Sequence, residues 1–401
     1  MPLGGDGGEG ECDVPDRDRD GHASRACGGD DCDDLNSAIH PGAPEGPWSF
    51  QTVDGEGDTG FYPVLALDGA GAPHIVYNDL TRQSVRHATS TAGGWTTEPI
   101  ATSASWATPL DLALGERPGG GPVLVAWLSG AGIATNATGA WVVSPIVSPQ
   151  ALDGCFIRWI SLGVDAAGVA HMAYWDVADC FCNCNGGMGY ATNAGGGWTF
   201  EPLALGPREP SLALDRTGGV HLAYAPFAGA IEHATRRAGV WTIEEVAPGS
   251  ADLRYEALDQ VVDGSGAVHL AAYVWVSGQA SPHILYMNNA KGSWVSENAV
   301  ASVASADPFG RLSLALDPDG FATIAYVSAT GELLLATNAS GRWEVEAVVS
   351  SRDIVGPASL AVDALGRVHV AYYDWSAGDL RYAVRAGPRD GVDRDCDGSE
   401  E

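Results

Sequence analysis

Both ends of this 401-residue chain carry carboxylates at alternate positions ahead of a glycine, the spacing of a loop that holds a hard cation. Asp16, Asp18 and Asp20 precede Gly21, and Asp393, Asp395 and Asp397 precede Gly398. In such a loop the carboxylates converge on one ion and the glycine permits the sharp turn. Asp31, Asp33 and Asp34 add three more around Cys32. An all-oxygen donor set favours calcium; His22 and His40 keep copper open as an alternative. The competing reading is a solvated acidic tail, since Cys12–Glu45 has too little apolar content to bury a core.

A second set of chemically capable residues breaks the regularity of the middle of the chain. Arg158, Arg208, Arg254 and Arg311 each stand just before an alternating apolar run, and Trp175, Trp275 and Trp375 follow the next one. Guanidinium groups gather anions and carboxylates, and indole rings stack on sugars. Local acids such as Glu209, Glu256 and Asp307 offer these arginines structural partners instead. Cys155 precedes one apolar run, and Cys180, Cys182 and Cys184 follow its partner. CFCNC lacks the C-x-x-C spacing of common zinc knuckles. One or two disulfides are therefore expected there, with a four-cysteine zinc site as the alternative.

These residues are positioned by a repeat. SLALDRTGGVHLAY at Ser211–Tyr224 returns at Tyr62–Tyr77, Ile160–Tyr174, Leu258–Tyr273, Leu312–Tyr326 and Ser359–Tyr372, with a degenerate copy at Leu110–Trp127. Period-2 runs on both sides of Asp-x-x-Gly are two strands of a hairpin, because aspartate bonds the backbone ahead of it and glycine accepts a positive φ. A short third run and a Gly-x-Trp fourth run complete four strands at a period of about 50 residues, which matches a propeller blade. The histidine three residues after the glycine, present in five copies, reads with its aspartate as a structural clasp rather than a catalytic pair.

The fourth-strand tryptophans are Trp48, Trp95, Trp141, Trp198, Trp241, Trp294 and Trp343, read as packing between blades. They run one step ahead of the hairpins, so Trp48–Val53 is expected to complete the last blade beside Leu380–Val384 and remove two open edges. The expectation is an all-β, seven-bladed β-propeller over residues 48–386 closed by an N-terminal strand. Residues 1–47 and 387–401 would form a small irregular acidic module from both termini. Closure brings the ends together, so Cys32 and Cys396 can lock the junction while Cys12 and Cys27 pair locally. If Asp-x-x-Gly marks one face, the arginines, the three tryptophans and the four mid-chain cysteines share the other.

The pieces DRDRDG, DCDD…PGAPE and DGVDRDCDG resemble a metal-binding motif of many secreted bacterial proteins, some linked to a copper-binding family. That resemblance implies a metal site built from both termini, with the propeller inserted into the motif. The blades themselves resemble the BNR-like, sialidase-type repeats of secreted carbohydrate-active propellers, which implies a glycan ligand.

A net charge of −30 with Lys291 as the only lysine argues against nucleic acid, which needs clustered basic charge. No run of about 18 apolar residues exists to span a membrane. Eight cysteines in an acidic chain point to export, extracellular or to the cell surface, although Met1–Gly10 has no apolar signal core. The function expected is a monomeric, non-enzymatic binding protein with a calcium clasp and a ligand face for glycans or another surface protein. The alternative is a sialidase-like hydrolase or lyase on acidic polysaccharide. That chemistry needs an acid/base pair beside the arginines, and no acid in the sequence is singled out for it.

Overall fold

A computed structural model describes residues 48–385, apart from 92, 103–109, 117–121, 129–131, 146–156, 177–186, 206, 227–228, 304–311 and 329. Every regular element among the described residues is a strand. The first sheet is β2 (Thr59–Leu67), β3 (Pro73–Asp79), β4 (Ser84–Thr91) and β5 (Gly94–Thr102), after β1 (Ser49–Asp54). Next come β6 (Leu110–Glu116), β7 (Pro122–Leu128), β8 (Gly132–Thr135) and β9 (Val142–Pro145), then β10 (Ile157–Val164), β11 (Ala170–Asp176), β12 (Gly187–Thr192) and β13 (Thr199–Leu205). The fourth and fifth are β14 (Pro207–Leu214), β15 (Val220–Pro226), β16 (Ile231–Arg237), β17 (Val240–Ala247), and β18 (Leu253–Val262), β19 (Val268–Val276), β20 (His283–Asn288), β21 (Val295–Val300). β22 (Ser313–Leu316), β23 (Ala322–Val327), β24 (Leu333–Thr337) and β25 (Glu344–Val349) form the sixth. The last contains β26 (Ser359–Val362), β27 (Val368–Asp374) and β28 (Asp379–Arg385), with β1 added beside β28. The described residues thus make seven four-stranded sheets, and β1 completes the last of them.

The Asp-x-x-Gly hairpins show why the repeat is written as it is. In the fourth sheet one oxygen of Asp215 accepts from the backbone N–H of Thr217 at 2.8 Å and of Gly219 at 2.8 Å, and Gly218 sits at φ 80°. Asp68, Asp165, Asp263, Asp317 and Asp363 hold their turns with the same pair of bonds. The second oxygen faces histidine Nε2 at 3.6 Å in Asp68/His74 and 3.4 Å in Asp215/His221. These carboxylates are occupied in closing turns, which is the structural clasp.

The fourth-strand tryptophans pack across sheets. Trp141 lies edge-on to His87 of the preceding sheet, Trp241 to Tyr190, Trp294 to His233 and Trp343 to Tyr286. Trp95 does the same against Tyr382, and its Nε1 donates to Gln51 of β1 at 2.7 Å. Tyrosines such as Tyr77, Tyr174, Tyr224 and Tyr273 are buried beneath them, along with a leucine, isoleucine and alanine core.

The chain divides into two compact units. The larger is Gln51–Ala361 with Val370–Tyr382; the smaller contains, among described residues, Val362–His369 with 48–50 and 383–385. Within the larger unit the N-terminal and C-terminal stretches meet directly. Thr59 N–H donates to the Gly378 carbonyl at 2.8 Å, Leu65 N–H to Ser359 Oγ at 2.9 Å, and the Tyr373 hydroxyl to Asp58. Within the smaller unit the Arg385 guanidinium lies over the Trp48 ring, 5.4 Å from its centre. No described helix is long and apolar enough to cross a membrane.

Candidate functional site

The first strand of each sheet lines a common cavity of about 120 Å³ in the larger unit. The position four residues before the turn aspartate faces it: Val64 in β2, Asp111 in β6, Ser161 in β10, Ser211 in β14, Asp259 in β18, Ser313 in β22 and Ser359 in β26. Six of the seven carry side-chain oxygen, and each oxygen bonds the next strand in the series. Ser161 Oγ accepts from Leu212 N–H at 2.9 Å, Ser211 Oγ from Gln260 at 3.1 Å, Ser313 Oγ from Leu360 at 3.0 Å, and Ser359 Oγ from Leu65. The two aspartates do this twice over. Asp111 accepts from Leu162 N–H and from its own neighbour Leu112 at 2.9 Å; Asp259 accepts from Leu314 at 2.8 Å and Gln260 at 2.9 Å. Hydrogen bonds therefore run from strand to strand around the cavity. Only from Val64 to β6 does a side chain fail to supply one, and there Asp111 bonds Leu112 itself.

Backbone irregularity aims these side chains. The pairing of β2 with β3 slips between Phe61 and Val64, and that of β18 with β19 between Glu256 and Asp259. Inside these bulges Tyr62 at φ 53° and Ala257 at φ 50° occupy the left-handed region, and both line the cavity. Such non-glycine strain costs on the order of 1–3 kcal/mol and clusters at functional sites, where bulges re-aim side chains.

Asp259 is the electrostatic centre of the cavity. Burial pushes its carboxyl up to about 6, with the negative charge of Asp111 adding to the rise and the bonds from Leu314, Gln260 and Ser211 opposing it. No arginine, lysine or histidine lines the cavity among the described residues.

The rim residues expected from sequence are placed unevenly. Arg254 and Trp275 face each other across the β18–β19 pair, with the guanidinium 5.3 Å from the ring centre and 3.1 Å from Glu256. Arg254 thus has both an aromatic platform and the local acid that the structural alternative named. Trp375, the first residue of the β27–β28 connection, is 59% exposed, and its edge meets Tyr373 at 6.2 Å. Trp175 corrects the expectation. It is 6% exposed, within β11 opposite Trp159, because β11 continues through it before the loop begins. Its ring is core, not a stacking surface. Arg158 and Arg208 belong to β10 and β14, but their side chains lie outside the described residues. Arg311 lies outside them too, as do all eight cysteines (Cys12, Cys27, Cys32, Cys155, Cys180, Cys182, Cys184, Cys396) and the acidic loops Asp16, Asp18, Asp20, Asp31, Asp33, Asp34, Asp393, Asp395 and Asp397. No group of three metal-ligating side chains occurs among the described residues.

The oxygen-lined cavity was missed from sequence. Its signal was there: Ser or Asp recurs four residues before the turn aspartate in Ser161, Ser211, Asp259, Ser313 and Ser359, and Asp111 matches it in the degenerate copy. Alternation by itself gives that position as one more polar residue of a half-buried strand.

Fold and site together define an all-β propeller with an oxygen-lined central cavity. Comparison with solved structures agrees on the fold. An ulvan lyase, described as a new family of polysaccharide lyase, superposes with a TM-score of 0.58 at 10% identity, over 84% of this chain and 96% of its own. A mutant of the Aleuria aurantia lectin in complex with α-methyl-L-fucoside superposes with a TM-score of 0.50 at 13% identity, over 73% of this chain and 95% of its own. No protein-family profile matches the chain, and no curated protein matches it in sequence.

Proposed function

We propose that the protein is a non-enzymatic glycan-binding propeller, whose ligand face is the rim on which Arg254, Trp275 and Trp375 stand. The observation that carries this reading is Trp375, left 59% exposed where the other described tryptophans are buried or half-buried. A lone indole on a rigid strand end offers a flat apolar face to a sugar ring at little entropic cost. The stacked Arg254–Trp275 pair, on the β18–β19 strands, adds a fixed donor fork. The solved structures of like fold support the class, since one is a lectin bound to a fucoside and the other a polysaccharide lyase. The seven sheets are read as seven blades, closed by β1.

The whole chain, fluorescently labelled, is expected to bind a subset of glycans on an array, and Trp375→Ala to weaken that binding at least tenfold. A silent array overturns the reading. Release of unsaturated or shortened sugars from a bound polysaccharide would replace it with the enzymatic alternative.

For the acidic ends we propose a calcium clasp. Two D-x-D-x-D-G loops offer hard oxygens, and like-charged carboxylates that closure would bring together repel one another until a cation joins them. A ligand that binds only the folded state stabilises it by about 2.7 kcal/mol at a hundredfold excess over Kd. Calorimetry should show calcium uptake, and chelator should lower the melting temperature of the wild type but not of Asp395→Asn. Absence of binding heat together with a melt indifferent to chelator leaves the ends as solvated tails. Export to the cell exterior is part of the same proposal.

A further inference from the structure

We propose that the cavity enclosed by the first strands is a second binding site, which takes a single neutral, polyhydroxylated unit such as one uncharged monosaccharide. It deepens the glycan reading and rests on it, but the site is separate from the rim.

Size sets the first limit. The cavity measures about 120 Å³, whereas one water needs about 10–15 Å³. It has room for a small organic molecule and not for a chain. Lining chemistry sets the second. Ser161, Ser313 and Ser359 each accept one backbone N–H, which leaves their O–H hydrogens to donate. Asp259 accepts from Gln260, Leu314 and the Ser211 hydroxyl, which leaves its carboxylate a further lone pair. Donors and an acceptor therefore share one space, as a molecule with several hydroxyl groups requires. Tyr62 and Trp159 line the same space and can cover the C–H face of a sugar ring.

Charge sets the third limit. With two carboxylates and no basic residue among the described lining, a carboxylated sugar would be repelled while an uncharged one is admitted. This is the opposite preference to that expected of an arginine rim. The strained backbone supports a ligand rather than mere packing. Tyr62 and Ala257 hold left-handed φ values inside the β2 and β18 bulges. The strand-to-strand bond alone does not require them, since Ser313 makes it from β22, whose pairing with β23 has no such bulge.

The test is calorimetry on the full chain with free L-fucose, D-galactose and D-mannose, and with D-glucuronate as the charged counterpart. At least one neutral sugar should bind, with glucuronate at least tenfold weaker. Ser161→Val and Ser313→Val each remove one hydroxyl and install what Val64 already provides at the matching place in β2. Each should weaken the sugar at least tenfold, with the melting temperature lowered by only a few degrees, since the N–H of Leu212 or Leu360 loses its acceptor. Should a variant fail to fold, the wild type still decides. The indole N–H resonance of Trp159, assigned with Trp159→Phe, should shift as the neutral sugar is added. Binding of glucuronate in preference, or sugar binding that moves neither the valine variants nor Trp159, overturns the proposal. An array signal with no free monosaccharide bound overturns the cavity and leaves the rim standing; bound monosaccharide with a silent array does the reverse.

Discussion

Deleting residues 46–53 should unfold the whole molecule rather than trim its edge. β1 supplies a strand of the last sheet, and its partners reach well beyond that sheet. Gln51 accepts the Trp95 indole N–H of the first sheet, and Thr52 accepts from Arg381 of β28. Without β1, the N–H and C=O groups of β28 lose their neighbour, and an open edge replaces a closed one. Loss of Val53 from the core together with a whole strand of ladder bonds places the cost in the upper range for local changes, above about 4 kcal/mol. The expected result is an insoluble or molten product, or a melting temperature lowered by more than ten degrees if the chain stays soluble. A deletion protein that melts as the wild type does would show that the last sheet stands without β1. Gly60 marks the same junction from the other side. It has φ 104°, and a Cβ there would lie 2.6 Å from Leu380 Cα, so the seam leaves no room for a side chain.

How much of this was legible follows from the range over which each signal acts. The hairpins were, because Asp215, Thr217 and Gly219 bond one another within five residues. The offset of Trp48 was, because a count of tryptophans against hairpins needs no geometry. The cavity was not recognised, although Ser211 and Asp259 repeat in register. What makes them a site is that seven strands, far apart in sequence, point one residue each at the same space. Trp175 shows the reverse error. A tryptophan after an apolar run reads as a loop residue until the register shows β11 still paired through it. Nor could sequence tell a histidine that meets a tyrosine, as His171 meets Tyr190, from one that meets a second histidine.

That last distinction governs the response to acid. Seven histidines are buried (His74, His87, His171, His221, His233, His269 and His369), and burial holds each below its ordinary value. A lowered histidine makes the unfolded chain the better proton acceptor, so stability is full above about pH 6.5 and falls as pH drops below it. Each such proton costs about 1.4 kcal/mol per pH unit until the folded protein also takes it up. Two carboxyls act the other way: Asp259, raised to about 6, and Asp317, also raised by burial, favour the folded state as pH falls toward 4. Seven groups against two decide the sign, and the fold should lose stability steeply between about pH 6.5 and 5. Pairing sharpens the effect. In the first sheet His87 Nδ1 donates to Glu98 at 3.1 Å, and its Nε2 therefore accepts from His74 Nδ1 at 3.0 Å. That chain of bonds has room for one added proton, on His74 facing Asp68, since a second would set N–H against N–H. His221 and His233 repeat the arrangement, ending on Glu244. Tyrosine stands at the matching place in β12 and β20, where its hydroxyl can donate or accept as the histidine titrates. The double variant His87→Tyr, His233→Tyr should therefore fold at pH 7, unfold at a lower pH than the wild type, and take up about two fewer protons on unfolding near pH 5.5. An acid midpoint that stays where it was, measured by tryptophan fluorescence alongside proton-uptake titration, would mean that the paired imidazoles carry no more of the acid response than the single ones.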